Sequence, residues 1–356
     1  MRIRMGHIVL LLAGLVLLQR NARASEERYS KILREWQSAQ AKFERTYKSA
    51  TQAERDKGWF PSLPDVNSYA PRFLAVARKH PKTSDALNSC LWVAENLCHD
   101  SVGGNEVEEA RKILLQDHRE SPRLAGVCPQ LVLSSPGPET EQFLHALIER
   151  SPHRTVQGKA MLALASYQRH SLLDRKAAEK TYEEVATRFG DVEGGSLRDA
   201  ARRELFELQQ LVVGKIVPEI KGQDPEGKTF SLGEYRGKVV AIYFFGDWFP
   251  ACRTFYPQLR ALSQKLEGKP FALLGVNSDP PDRIKEIAGR EQFNWRFWCD
   301  GRGGPIAASW NVSLSIAQPA TYVVDAKGVI RYKNVGAKKM AEAVEVLLAE
   351  MEKGKD

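Results

Sequence analysis

The 356-residue chain lacks an apolar run long enough for an ordinary membrane span. Its N-terminal run "IVLLLAGLVLL" (Ile8–Leu18) has 11 residues, where a spanning helix needs about 20. No block of basic residues interleaved with aromatics occurs, which leaves nucleic-acid binding without a footprint. No His/Cys cluster shows metal-ligand spacing, so neither a metal nor another cofactor is expected. Cysteine is scarce: Cys90, Cys98, Cys128, Cys252 and Cys299. Five is an odd number, so at least one thiol stays outside any intramolecular pairing.

The short apolar run has a different meaning. Basic "MRIRMGH" precedes it and small-residue "ARA" (Ala22-Arg23-Ala24) follows it, the three-part plan of a secretory signal peptide over 1–24, cleaved after Ala24. A periplasmic or secreted mature chain is therefore expected, in a compartment where disulfides persist. The formal charge of +8 owes four units to Arg2, Arg4, Arg20 and Arg23, which leaves +4 without that segment. Cys90 and Cys98 share one helical stretch, where eight residues of rise separate them by about 12 Å, beyond the roughly 7 Å Cα limit of a disulfide. Either one can reach Cys128 on a neighbouring helix; buried free thiols are the alternative.

From residue 25 to 211 apolar residues recur at helical spacing. Similar junctions return near His80, His118, Pro152 and Gly190, at intervals of 38, 34 and 38 residues. In "AAEKTYEEVATRFGD" Ala178, Tyr182, Val185 and Phe189 form one amphipathic face. The spacing resembles a tetratricopeptide array, and predicts an all-α helical region that serves as a partner-binding platform or a stabilising spacer.

The texture changes near Val213. "KVVAIYFF" (Lys238–Phe245) is a continuous apolar run, as in a buried parallel strand. Helix and strand patterns then alternate through "FALLGVNS", "PDRIKEIAGREQF", "WRFWCD" and the hairpin "TYVVDAKGVIRYKNV" to a final helix, which predicts α/β layers. The stretch "VGKIVPEIKGQDPEGKTFSLGEYRGKVVAIYFFGDW", with Cys252-Arg253, Pro257 and "QPATYVVDAKGVIRY", resembles the TlpA/ResA-type thioredoxin-like proteins of the AhpC/TSA-redoxin superfamily. The resemblance covers about 213–350 and implies an α/β thioredoxin-like domain over 212–356. It further implies membership among thiol-disulfide oxidoreductases.

In that family a Trp-Cys-x-x-Cys motif opens a helix, the first Cys attacks a substrate disulfide and the second resolves the mixed disulfide. Here "FGDWFPACR" puts Phe249 where the attacking thiol belongs and leaves only Cys252. Dithiol exchange within the motif is excluded, because a phenyl ring has no lone pair to attack with. One reading keeps redox chemistry on Cys252, near the positive end of a helix with Arg253 adjacent. A variant of it is a one-cysteine peroxidase, although the threonine that peroxiredoxins hold three residues earlier is Phe249 here. Another recruits Cys299, at the end of a parallel strand, as a noncontiguous partner. A further reading makes the domain redox-silent: Trp248, Phe249 and Pro250 beside Gln318 and Pro319 would hold an extended peptide or protein partner. Pro319 matches the family's cis-proline. The buried acid that the family holds beneath the motif is replaced by Tyr243, and Asp279 is the substitute candidate, or else a helix cap.

Overall fold

The computed structural model describes residues 28–51, 61–97, 104–312 and 319–353. The expected signal segment, Cys98 and Gln318, and with Gln318 the peptide bond to Pro319, lie outside the described residues. The chain divides into two compact units, up to Ala201 and from Arg202 onward.

The first unit is helical throughout its described elements: α1 (28–49), α2 (Val66–Lys79), α3 (Ser84–Asn96), α4 (Gly104–Asp117), α5 (Leu124–Ser134), α6 (Pro138–Arg150), α7 (Arg154–His170) and α8 (Arg175–Arg188). Local chemistry sets the starts. Asp65, Thr83 and Asp174 each accept a backbone N–H at the first turn of α2, α3 and α8, satisfying donors that a helix cannot satisfy itself. The four recurrent junctions fall between α2 and α3, α4 and α5, α6 and α7, and after α8. Ala178, Tyr182, Val185 and Phe189 are buried together. Cys90 on α3 and Cys128 on α5 are buried free thiols. Gly158 on α7 sits close to its neighbours: a Cβ there would lie 2.6 Å from Leu197 Cδ1 and 3.0 Å from Phe189 Cγ.

A ninth helix, α9 (Ser196–Gln210), follows, and the division between units falls inside it, ten residues before the boundary drawn from composition. The reason is packing: Phe206 and Leu211 join an apolar cluster of the second unit, and Glu207 pairs with Lys333 at 2.7 Å.

The second unit is a five-stranded sheet in the order β5-β4-β3-β6-β7, fronted by a hairpin of β1 (Lys221–Gln223) and β2 (Thr229–Ser231). Strands β3 (Val239–Phe245), β4 (Phe271–Asn277) and β5 (Arg296–Cys299) run parallel, while β6 (Thr321–Val324) and β7 (Ile330–Lys333) are antiparallel. All seven residues of β3 are buried, because both faces are covered. Val239, Ala241, Tyr243 and Phe245 enter one cluster with α11 (Tyr256–Lys265), α12 (Pro281–Arg290) and α14 (Ala337–Lys353). Val240, Ile242 and Phe244 enter the other, with the hairpin and Trp310, which follows α13 (Pro305–Ser309). This two-residue alternation is the strand period. At the β6–β7 turn Gly328 has φ +82°, and the Arg236 guanidinium, donating to Lys327 O at 2.9 Å, fills the place a Cβ would take. The element order and strand directions are those of the thioredoxin-like α/β fold.

The helix that the motif opens is broken in two. Residues Pro250–Arg253 form a short α10, Thr254 and Phe255 interrupt it, and α11 begins at Tyr256. Pro257 has no N–H to give the carbonyl of Arg253, so the hydrogen-bond ladder stops there.

Candidate functional site

The motif sits where β3 ends, between both apolar clusters. Phe249 is the N-cap residue of α10, with φ −102° and ψ 106°, and Pro250 takes the first helical position, where its missing N–H costs nothing. The Phe249 side chain is half-buried and packs against the clusters on both faces of the sheet. The ring thus contributes to both cores.

Cys252 belongs to one of these clusters and has no solvent exposure. Burial pushes the thiol above its ordinary value; the Gly246 N–H and the nearby Tyr243 hydroxyl, whose proton goes to the Cys252 carbonyl, oppose this, and the charges of Asp279 and Asp247 reinforce it. Arg253 is exposed and is not among these groups. The four-residue α10 offers little dipole, so desolvation outweighs the helix-terminus effect that the sequence suggested. Tyr243 takes the place of a buried acid: its hydroxyl donates to the Cys252 carbonyl at 2.8 Å. Its ring lies between those of Phe245 and Phe255, at 5.2 and 5.4 Å and within 13° of parallel.

Asp279 is buried and works as a cap for the motif loop rather than for α12, whose N-cap is Pro280. Both carboxylate oxygens accept the Asp247 N–H, at 3.0 and 2.9 Å, and one also accepts Asn277 Nδ2 at 2.8 Å. The side chain of Asp247 pairs in turn with Arg290 at 2.7 Å. Trp248 is 39% exposed. Its Nε1 donates to Ser278 Oγ at 3.0 Å, and the Arg302 guanidinium stands 4.5 Å from the ring centroid. Pro250 is exposed and Pro319 buried. Asp247, Asn277, Ser278, Arg290 and Arg302 went unnoticed in the sequence. "NSD" at the end of a predicted strand was the available signal for the first layer of this network, whereas Arg290 and Arg302 meet the motif only through folding.

Cys299 ends β5 opposite Asn277 of β4, which is itself opposite Phe245. Two strand spacings place its Cα about 10 Å from that of Phe245. Cys299 packs on the same sheet face as Cys252 and both are free thiols. Burial raises Cys299 to about 11, helped by Asp224 and Glu226 rather than by the acids around Cys252. Among the described residues no group of three His, Cys, Asp or Glu side chains is arranged to hold a metal ion.

Comparison with known proteins finds likeness in the second unit. Residues 213–333 match the model of the AhpC/TSA family. Peroxiredoxin Q of Populus jackii is 28% identical over 123 residues, 33% of this chain and 57% of its own. The thiol-disulfide oxidoreductase ResA of Bacillus thuringiensis is 25% identical over 123 residues, 34% of this chain and 69% of its own. The thiol:disulfide interchange protein DsbE of Yersinia pestis is 28% identical over 150 residues, 39% of this chain and 72% of its own. The chain thus spans little more than half the length of the peroxiredoxins it matches. The thioredoxin domain of a thiol-disulfide oxidoreductase from Bacteroides vulgatus aligns with 39% of this chain and 99% of its own, at 23% identity and a TM-score of 0.35. Over residues 213–333 the second unit thus matches the AhpC/TSA family and is similar to thioredoxin-like proteins of the TlpA/ResA type.

Proposed function

We propose that this is an exported protein whose thioredoxin-like domain binds a protein or peptide partner without forming a covalent bond to it. The observation that carries the reading is the complete burial of Cys252, in a cluster against which half-buried Phe249 packs. Disulfide exchange needs a thiolate that can approach a sulfur–sulfur bond. Here the one motif thiol is occluded and held protonated by burial. What remains outward is an apolar surface of Trp248 and Pro250, flanked by half-buried Phe249, of the kind that gives contact area at low entropic cost. The helical unit, read as a tetratricopeptide-like array, supplies a second holding surface. Export rests on the basic, apolar and small-residue order of residues 1–24; no helix among the described residues is long and apolar enough to cross a membrane.

Insulin reduction and peroxide consumption by the wild type and Cys252→Ala test this. Neither protein is expected to act above background. Activity that disappears with Cys252→Ala refutes the binding-only reading and favours a second one, chemistry on Cys252 toward a small oxidant. That second reading draws support from the Gly246 N–H, which favours a thiolate. A disulfide between Cys252 and Cys299 after mild oxidation, mapped by mass spectrometry, would extend it to the noncontiguous pair.

A further inference from the structure

The outer surface of the motif continues into an open cleft of about 510 Å³, lined by Thr254, Phe255, Gln258, Ala337, Lys338, Lys339 and Glu342. The cleft lies where α10 gives way to α11 and where α14 begins. Phe255 and Ala337, half-buried and buried, supply its apolar part, and the two lysines are exposed. Along the chain, exposed Arg253 adjoins Thr254 at one end of α10, and Trp248 with Arg302 stacked on it lies just before the other.

In chain order along the motif come Trp248 with Arg302 on its ring, Pro250, Arg253 and then the cleft that Lys338 and Lys339 also line. These four cations face one acid, Glu342, and none of the four makes an ion pair among the described residues. Three arginines of the unit are by contrast paired, Arg290 to Asp247, Arg296 to Asp224 and Arg331 to Asp325 and Glu350. The first turn of α14 holds two lysines and no acid, although the positive end of a helix favours acids, as in α6 and α12. Positive charge is thus gathered on a helix terminus that already attracts anions.

We infer that this surface selects an acidic, extended segment of a partner protein. The inference rests on the binding role proposed above and adds its specificity. Carboxylates of the segment meet Lys338, Lys339 and Arg253, while apolar side chains lie on Trp248 and in the cleft beside Phe255. Complementary charge of this kind speeds encounter and rejects basic partners. Glu342 among the lysines disfavours a uniformly anionic lipid surface.

Fluorescence anisotropy with the full chain tests it, using a labelled Glu/Leu peptide, its Lys/Leu counterpart, and phosphatidylglycerol vesicles. The acidic peptide is expected to bind at least roughly tenfold more tightly than the basic one. The preference should weaken with added salt and vanish in Lys338→Glu/Lys339→Glu, with Arg253→Glu lowering it independently. Circular dichroism of each variant separates lost charge from lost folding. Equal binding of the two peptides overturns the inference and leaves the binding role standing. Binding of neither peptide overturns both, and binding of vesicles alone replaces the peptide with a lipid surface.

Discussion

Replacing Phe249 by Cys should rebuild a working dithiol, and the structure allows the outcome to be sized. Residue 249 caps α10 and Cys252 N donates to its carbonyl at 2.9 Å, so the two residues close a tight turn well inside the roughly 7 Å Cα limit for a disulfide. Truncating a fully buried Phe costs about 3–5 kcal/mol. Because Phe249 is half-buried and Cys retains a Cβ and a sulfur, the loss here is about 1–2 kcal/mol. The second unit is of a size at which each kcal/mol shifts Tm by about 2–4 °C, so the reduced variant should melt roughly 2–8 °C below wild type. Closing so small a loop returns about 2 kcal/mol, which brings the oxidised variant level with the wild type. Titration with glutathione buffers, followed by alkylation and mass spectrometry, reads the 249–252 bond directly, and insulin reduction reads its use. A folded Phe249→Cys protein that forms no such bond under oxidised glutathione would refute the placement of residue 249 at the helix mouth.

Three further outcomes follow from the same geometry. Asp279→Ala removes the acceptor of the Asp247 N–H and of Asn277 Nδ2, leaving buried donors unmet at a cost of about 1–3 kcal/mol; denaturant melts should show the loss and alkylation of Cys252 should speed up. Tyr243→Phe deletes only the hydroxyl bonded to the Cys252 carbonyl, worth about 1 kcal/mol, and a melt unchanged from wild type would mean that this bond does not hold the motif helix. Stability should also fall in alkali: burial raises Cys90 and Cys128 from 9.0 to about 12, so above pH 9 the unfolded chain has lost protons that the folded chain keeps. Each thiol then removes about 1.4 kcal/mol per pH unit up to about pH 12, and thermal melts of Cys128→Ala between pH 8.5 and 10.5 should show a shallower decline than wild type.

The parallel core of the fold was legible because β3 is buried on both faces and so reads as an unbroken apolar run. The hairpin was legible because its turn carries Gly328 at a positive φ. Both signals are local. The break between α10 and α11 was also local, written in Pro257, yet the apolar spacing across it masked it. The domain boundary lay earlier than composition suggested because the last turn of α9 is claimed by contacts from Asn311 and Lys333, more than 100 residues away. At the site, Phe249, Cys252 and Tyr243 could be placed by alignment, but the burial of the thiol could not. It depends on β3, α11 and the loop after β4 meeting. Asp279 illustrates the same limit. Followed by Pro280-Pro281 and a helix, its sequence context fits a helix cap, and only the fold brings the Asp247 amide within its reach.

The ring of Tyr243, sandwiched between two phenylalanines, gives the domain its own optical gauge. Burial keeps Tyr243 and Tyr256 protonated far into alkali, so their tyrosinate absorbance should stay silent while surface tyrosines titrate. Its late arrival would mark the moment at which the packing around the motif gives way, without a label or a substrate.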